Sequence, residues 1–197
     1  MSKIISNIAS VNISDSILWG NFKSGDESAF AMIFRTHYQA MFNYGLKFQK
    51  DKGLVEDAIQ ELFLELWKNK QNLSDTDSIK PYLLTALRRK IIAKFNFQSK
   101  VKRLFSKDLP KEYKFEIILS PETELINTQT HEFTASQLKA ELEALPPRQK
   151  EILYLLFYQD LSYEEIAQIM DMNYQSARNL VHRAVTQLRE KKFLKKV

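Results

Sequence analysis

The sequence contains no cysteine, and it has only four glycines and five prolines among 197 residues. The absence of cysteine excludes disulfide bonds, thiolate metal ligands and a cysteine nucleophile, and it is typical of a reducing compartment. Because glycine and proline interrupt regular structure, their scarcity beside long periodic apolar stretches predicts an almost wholly helical protein. A chain of this length can form one medium-sized domain or two small ones.

Several classes of function have no support in the sequence. The three histidines, His37, His131 and His182, are far apart, so neither a histidine-based catalytic site nor a metal site is expected, and there is no glycine-rich phosphate loop. No apolar run approaches the length of a membrane span, and residues 1–16 lack the apolar core of a signal peptide. These absences weigh against an enzyme and predict a cytoplasmic protein without a cofactor or a membrane segment.

Positive charge, in contrast, is in excess. The net charge is +5 and the pI is about 9.2, which favours a polyanionic partner. Residues 78–107 contain cations and aromatic rings but no carboxylate. The cations are Lys80, Arg88, Arg89, Lys90, Lys94, Lys100, Lys102, Arg103 and Lys107, and the rings are Tyr82, Phe95, Phe97 and Phe105. Cations can follow a phosphate backbone while rings stack on bases, so the segment is predicted to bind single-stranded nucleic acid. A basic helix that is only solvated is the alternative.

Residues 161–190 have the pattern of two helices joined by a tight turn. Ser162 can cap the first helix with Glu165 as its capping-box partner, and Asn173 can cap the second. The predicted inward residues are Ile166, Ala167, Ile169, Met170, Ala177, Leu180 or Val181, Ala184 and Leu188. The residues left pointing outward are Gln175, Ser176, Arg178, Asn179, His182 and Arg183. Arginine pairs with guanine and asparagine or glutamine with adenine, so the pattern indicates a helix-turn-helix that binds duplex DNA. An ordinary helical hairpin is the alternative.

Three amphipathic helices are predicted before the basic segment. Their apolar sides comprise Ile17, Leu18 and Phe22 with Trp19 beside them, then Phe30, Ile33, Phe34, Tyr38, Met41, Phe42 and Leu46, then Val55, Ile59, Leu62, Phe63 and Leu66. The third helix presents an acidic, amide-bearing face formed by Glu56, Asp57, Gln60, Glu61 and Glu65. Leu64 and Trp67 extend its apolar surface beyond one stripe, which indicates a partner. A merely solvated face is the alternative.

Between about residues 99 and 121 the helical periodicity lapses. Tyr113, Phe115, Ile117 and Leu119 alternate as in a short strand, but no second strand is evident, so an extended linker is predicted. The predicted architecture is all-α, with two small helical domains over residues 12–100 and 121–195. The linker covers residues 101–120, and the second domain ends in the helix-turn-helix.

Four motifs, GDESAF, EDAIQELFLELW, LPPRQKEILYLLFYQDLSYEEIAQIM and SARNLVHRAVTQLRE, follow one another along the chain. Their order and spacing resemble those of the extracytoplasmic-function sigma factors, the two-domain initiation subunits of bacterial RNA polymerase. The resemblance covers about residues 14–191, and its C-terminal part is most similar to sigma factors of the Bacteroidetes type. It implies a transcription initiation factor that directs the polymerase to promoters and opens the DNA, with no catalysis of its own and no cofactor.

The resemblance also implies partners and roles. The partners are promoter DNA and the polymerase core, which is contacted through the clamp helices of its largest subunit and the flap of its second-largest subunit. An anti-sigma factor is a further partner that the resemblance allows. The residues assigned to the polymerase are Asp57, Gln60, Glu61 and Phe63. Those assigned to the minus-ten strand are Lys80, Arg88, Arg89, Lys90 and Lys94. Those assigned to the minus-thirty-five duplex are Tyr174, Gln175, Ser176, Arg178, Asn179, His182 and Arg183. The linker would thread through the polymerase cleft.

Three positions depart from the family's pattern. Arg89 and Ala93 stand where the family usually has asparagine and aspartate, so the base-selection pocket would differ unless the alignment shifts by one residue. Asp171 stands at a turn where glycine is usual, and aspartate tolerates a left-handed backbone better than most residues. The alternative functions are a one-component helix-turn-helix regulator, an all-helical protein-interaction adaptor and a helical enzyme.

Overall fold

The computed structural model describes residues 14–103, 113–117 and 138–190. Every regular element in these ranges is helical, and none of these residues lies in a strand, which confirms the all-α prediction. The helices are α1 (Asp15–Lys23), α2 (Glu27–Phe48), α3 (Lys52–Asn69), α4 (Ile79–Arg103), α5 (residues 138–144), α6 (Pro147–Phe157), α7 (Tyr163–Ile169) and α8 (Tyr174–Glu190). A 3₁₀ turn, Lys70–Asn72, follows α3.

Polar side chains begin the first three helices. Ser14 Oγ accepts a hydrogen bond from the backbone N–H of Ile17, and Asp26 accepts from two N–H groups at the start of α2. Asp51 caps α3 by accepting from the backbone N–H of Leu54. These caps satisfy backbone donors that would otherwise lack partners at each helix start, so the local sequence fixes where the helices begin.

Helices α1 to α4 pack around an aromatic-rich core. All five residues of α3 that were predicted to face inward are buried. Trp19 of α1 is 1% exposed, and its Nε1 donates to the backbone oxygen of Ser74 at 3.0 Å. Ile17, by contrast, is 59% exposed, so the prediction that it joins the core is wrong. Trp19 takes the inward position beside Leu18 and Phe22 because α1 buries only one narrow face.

Helix α2 also differs from the prediction. Ile33 and Met41 are buried as expected, but the other predicted residues, Phe30, Phe34, Tyr38, Phe42 and Leu46, are only half-buried. The buried face is completed by Ala29, His37, Tyr44, Gly45 and Phe48. Residues spaced by four drift around a helix of 3.6 residues per turn, so the aromatic series passes from the core towards the surface.

Helices α5 to α8 form the second cluster. Proline at position 147 occupies the first turn of α6, where its missing N–H costs no helical hydrogen bond. The capping box between Ser162 and Glu165 is present at the start of α7. Asp171 has a φ of 52° in the turn before α8, so this aspartate adopts the left-handed conformation that glycine usually provides at such a turn.

The predicted inward face of the helix-turn-helix is confirmed. The four predicted residues of α7 and its turn, and Ala177, Val181 and Ala184 of α8, are buried. Leu180 and Leu188 are half-buried against the same core. Two helices that share this apolar contact hold the outer face of α8 at a fixed angle to α7.

The two helical clusters contact each other directly. Helix α4 packs against α7, and residues 113–117 run extended along α2, where the Glu116 N–H donates to the Lys47 oxygen at 2.8 Å. Phe115 is 1% exposed among the rings of Tyr44, Phe48 and Tyr154. The alternating pattern of the linker therefore reflects burial of every second residue between the domains. Leu119, Phe105, Lys107 and the side chains of Phe95, Phe97, Lys100, Lys102 and Arg103 lie outside the described residues.

Candidate functional site

The outer face of α8 carries the predicted duplex-binding residues. Asn173 Oδ1 caps the helix by accepting from the Ser176 N–H at 2.7 Å, which fixes where the first turn begins. All seven assigned residues, Tyr174, Gln175, Ser176, Arg178, Asn179, His182 and Arg183, are exposed. They therefore form one continuous polar surface on the side of α8 opposite its buried alanines.

Contacts along this surface hold its side chains in place. Gln175 Nε2 donates to Asn179 Oδ1 at 3.1 Å, one helical turn away. The Arg178 guanidinium lies 5.9 Å from the ring centre of Tyr174, and that ring packs edge-on to Tyr163 of α7. Amide and guanidinium groups therefore lie side by side on this surface, and both can hydrogen-bond to base edges in the major groove.

Helix α4 distributes its five assigned cations among different environments. Arg89 is exposed and makes no ion pair within the part of the chain that the structure describes. Lys90 Nζ lies 2.7 Å from Glu65 Oε1 and 3.4 Å from Glu61 Oε2, and Lys94 Nζ lies 2.7 Å from Glu61 Oε1. These exposed pairs are weak and easily exchanged. The hydrogen bond from Lys94, together with Lys90, lowers the pKa of Glu61.

Lys80 and Arg88 face the second domain instead of solvent. Lys80 Nζ donates to the backbone oxygen of Gln159 at 2.5 Å, and burial lowers the pKa of Lys80. Arg88 is 9% exposed, and its Nε and Nη2 lie 2.7 and 3.3 Å from the two carboxylate oxygens of Glu151. Lys80 and Arg88 therefore do not lie on the exposed surface with Arg89, because α6 and the turn before α7 cover them.

Two tyrosines complete the environment of Glu151, whose side chain is fully buried. Tyr44 of α2 and Tyr113 of the linker donate hydroxyl hydrogen bonds to its two carboxylate oxygens, both at 2.5 Å. Burial, with the charge of Glu151 adding to it, raises the pKa of each tyrosine, so both remain donors. Burial alone would lower the pKa of Arg88, but the hydrogen bond and charge of Glu151 outweigh it and raise that pKa.

The residues assigned to the polymerase divide into three environments. Asp57 and Gln60 are exposed one turn apart on α3, as a docking surface requires. Glu61 is exposed too, but it is paired with the lysines of α4. Phe63 is only 4% exposed and belongs to the core.

Phe63 nevertheless forms the base of an open groove between α2 and α3. The groove encloses about 590 Å³ and is lined by Glu27, Phe30, Phe34, Gln60, Phe63, Leu64 and Trp67. Phe34 packs edge-on to Phe63 at 4.9 Å between ring centres, and Leu64 is 59% exposed at the rim. The sequence patterns did not predict that α2 contributes Phe30 and Phe34 to this groove. The four-residue spacing of its aromatic residues, which drifts around the helix, is the signal that could have indicated it.

The described residues include no cluster of three or more histidine, cysteine, aspartate or glutamate side chains able to hold a metal ion. Within residues 14–103, 113–117 and 138–190, no helix has the length and apolar character needed to cross a membrane.

Comparison with known proteins matches both clusters to one class. The model of sigma-70 region 2 matches residues 33–101, and that of sigma-70 region 4 matches residues 135–188. The ECF RNA polymerase sigma factor SigM of Bacillus subtilis (strain 168) is 22% identical over 164 residues, covering 80% of this chain and 91% of that protein. The RNA polymerase sigma factor YlaC of the same organism is 26% identical over 159 residues, covering 80% and 88%.

Solved structures show the same fold. CnrH, in its complex with the cytosolic domain of CnrY, has a TM-score of 0.60 at 16% identity and covers 90% of this chain and 96% of that chain. The sigma factor RpoE of Bartonella quintana, in complex with the anti-sigma factor NepR, has a TM-score of 0.59 at 17% identity and covers 85% and 98%.

Region 2 on the N-terminal cluster and region 4 on the C-terminal cluster define a two-domain protein of the sigma-70 class. The chain belongs to the extracytoplasmic-function sigma factors of that class. It is a transcription initiation factor and not an enzyme, and its partners are the RNA polymerase core and promoter DNA.

Proposed function

We propose that this sigma factor directs the polymerase to promoters through three surfaces. Helix α8 binds the minus-thirty-five element as duplex, α4 binds the minus-ten element on the non-template strand, and α3 with the adjoining groove docks on the clamp helices. The observation that carries the proposal is the position of α8. Its buried face anchors it to the domain, while all seven assigned side chains remain exposed.

The proposed clamp surface combines an apolar groove with a polar rim. Phe30, Phe34 and Trp67 line a groove wide enough for apolar side chains of a partner helix. Asp57 and Gln60 lie on the same helix as the groove wall and can hydrogen-bond to that partner. An apolar centre with a polar rim is the common anatomy of protein interfaces. For the flap, the C-terminal domain offers Phe157, which is 67% exposed at the end of α6.

The proposed strand-binding surface rests on α4. Arg89 is exposed and free of ion pairs in the described part of the chain, so it can reach a phosphate or a base at no cost in broken contacts. Lys90 and Lys94 are held only by exposed pairs with α3. Exchange of those carboxylates for phosphates is nearly neutral, because exposed ion pairs contribute little to stability.

An anti-sigma partner and a cytoplasmic location also belong to the proposal. The solved structures of similar sigma factors include RpoE in complex with the anti-sigma factor NepR and CnrH in complex with the cytosolic domain of CnrY. These complexes support an anti-sigma factor for this chain, and a transcription factor must reach the chromosome and its polymerase. The linker would then thread through the polymerase cleft when the two domains occupy their promoter elements.

Docking is tested by reversing one charge on the clamp surface. Asp57→Lys should abolish copurification with core polymerase and promoter-dependent transcription by the purified holoenzyme. Glu143→Lys, an equal reversal at an exposed position on α5, is the matched control and should retain both. The circular dichroism spectrum and thermal unfolding of Asp57→Lys should match the wild type, because the side chain is exposed. Normal copurification of this variant would assign docking to a different face.

A further inference from the structure

The buried Glu151 joins four segments of the chain. Its carboxylate, on α6, receives Arg88 from α4, Tyr44 from α2 and Tyr113 from the linker. Glu151 is 0% exposed, so its negative charge is compensated by these partners rather than by water. An ion that is buried with its partners is costly to leave alone, so the group resists removal of any one member.

This contact lies between the two domains and is reinforced on both sides. On one side, the Lys80 ammonium is bonded to the Gln159 backbone oxygen. On the other side, Phe115 of the linker lies 5.7 Å from the ring of Tyr154 on α6 and 5.0 Å from that of Phe48 on α2. Opening the domains would expose these rings to water, which the hydrophobic effect opposes.

The closed arrangement also engages cations of the proposed strand-binding surface. Arg88 forms an ion pair and Lys80 a hydrogen bond with the C-terminal domain. Lys90 and Lys94, in contrast, form ion pairs within the N-terminal domain. Arg88, paired with a buried carboxylate, cannot at the same time neutralise a phosphate, and the Lys80 ammonium is directed at a backbone oxygen of the C-terminal domain. Two of the five assigned cations therefore become available to a DNA strand only when the domains separate.

We propose that Glu151 is an autoinhibitory latch that holds the free sigma factor closed and withholds Arg88 and Lys80 of α4 from single-stranded DNA. The effect on DNA rests on the proposed strand-binding role of α4, whereas the latch itself rests only on the contacts between the domains. Separation of the domains hydrates Arg88 and Glu151 together, so neither charge is left buried without a partner. The closed and open forms are thus two states, and the strength of this contact sets their ratio.

The test compares Glu151→Gln with the wild type in the full chain. Glutamine keeps the shape of the side chain but removes the charge that holds Arg88. Because the chain has no cysteine, Gln71→Cys and Arg189→Cys, both exposed, provide two unique labelling positions, one in each domain. Distances between spin labels should form one narrow distribution in the wild type and become longer and broader in Glu151→Gln. Glu143→Gln, exposed on α5, should behave as the wild type.

Strand binding is measured on the same proteins with fluorescein-labelled oligodeoxythymidine. We expect Glu151→Gln to bind about tenfold more tightly than the wild type, as a minor open form would require. Tyr113→Phe retains the ring but removes one hydrogen bond to Glu151, and it should shift distance and affinity in the same direction by less. This milder variant keeps the test decisive if Glu151→Gln unfolds, which circular dichroism would reveal.

The outcomes separate the latch from the strand-binding role. Longer distances with tighter oligonucleotide binding support both. Longer distances with unchanged binding support the latch and overturn the strand-binding role of α4. Unchanged distances in a folded Glu151→Gln or Tyr113→Phe variant overturn the latch, whatever the affinity for DNA.

Discussion

Gly45 of α2 lies directly against Val55 of α3. A Cβ atom at position 45 would be 2.5 Å from Val55 Cγ1, closer than real Cβ atoms approach another atom, and 3.4 Å from Ile91 Cδ1 of α4. The missing side chain therefore lets three helices of the N-terminal domain meet at one point. Such a contact makes position 45 sensitive to a single added methyl group.

The first prediction is that Gly45→Ala destabilises the protein. Alanine gains up to about 1 kcal/mol of helix propensity over glycine, but overpacking a tight core costs about 1–3 kcal/mol. Val55 is 1% exposed, and its β-branched side chain has little rotamer freedom in a helix, so the clash should dominate. We expect a net loss of about 1–2 kcal/mol in urea unfolding followed by circular dichroism.

Gly20→Ala is the matched control for this prediction. Gly20 also lies in a helix, but a Cβ there would meet nothing within 4 Å, so alanine should stabilise by about 0.5–1 kcal/mol. Combining Gly45→Ala with Val55→Ala should cost less than the sum of the two single changes, because the second removes the clashing methyl group. Equal stabilisation by Gly20→Ala and Gly45→Ala would contradict the close contact.

The sequence predicts best the elements that bury a single stripe of apolar residues. Helix α3 and the helix-turn-helix are of this kind, so their inward residues follow from periodicity alone. The aromatic residues of α2 are harder to assign because Phe30 and Phe34 serve the core and the groove together. Their apolar character is the same in both roles, and only the packing of α3 decides between them.

The contact between Arg88 and Glu151 is not predictable from periodicity, because its members lie 63 residues apart in different domains. A local signal nevertheless exists on α4. Arg88 falls on the buried stripe between Leu84 and Ile91, where a cation requires a partner that the helix itself does not supply. By charge alone, Arg88 belongs with the other cations of α4, but its buried side chain does not lie on the surface that they form.

The second prediction concerns base recognition by α8. Arg178 is exposed in the first turns of the helix, where side chains of a recognition helix reach base edges. Arg178→Ala should cost about 1–3 kcal/mol on the preferred duplex and relax base preference at one position. The measurement is selection of preferred duplexes from a random pool by holoenzyme, followed by titration of one selected duplex and its scrambled form. Arg189→Ala, exposed at the far end of α8, should weaken both duplexes alike. Equal weakening by Arg178→Ala would identify a phosphate contact.

The third prediction is a pH dependence that arises from His37. Burial lowers the pKa of His37, with the charge of Asp15 opposing this effect and that of Lys80 adding to it. The folded state therefore binds fewer protons than the unfolded state, so stability is full above the unfolded value of about 6.5 and falls as the pH drops through the folded pKa. We expect the urea midpoint of the wild type to fall more steeply below that pH than the midpoint of His37→Gln. His182→Gln, at an exposed site, should follow the wild type. Parallel curves for the wild type and His37→Gln would exclude this histidine as the cause.

The fourth prediction concerns strand opening by α4. A protein that binds one strand must hold bases out of the stack at a cost of a few kcal/mol per base. Side-chain cations that contact the DNA phosphates, together with rings that stack on the bases, can offset that cost. Arg89 is the assigned cation that is exposed and unpaired in the described chain. We therefore expect Arg89→Ala holoenzyme to form closed complexes normally but to melt promoters poorly, measured as permanganate reactivity of unpaired thymines. Arg35→Ala, an exposed arginine on α2, is the control and should melt the promoter normally.

A promoter opened in advance by a mismatched bubble distinguishes melting from binding in the same assay. The bubble supplies the opening energy, so it should restore part of the activity lost in Arg89→Ala holoenzyme. If Arg89 served only to attract the duplex, the variant would be equally impaired on the duplex and bubble templates. If Arg89→Ala melted an ordinary duplex as well as the wild type, Arg89 would have no part in opening. The cations of α4 would then act only as a surface that holds phosphates, consistent with the exposed and exchangeable pairs of Lys90 and Lys94.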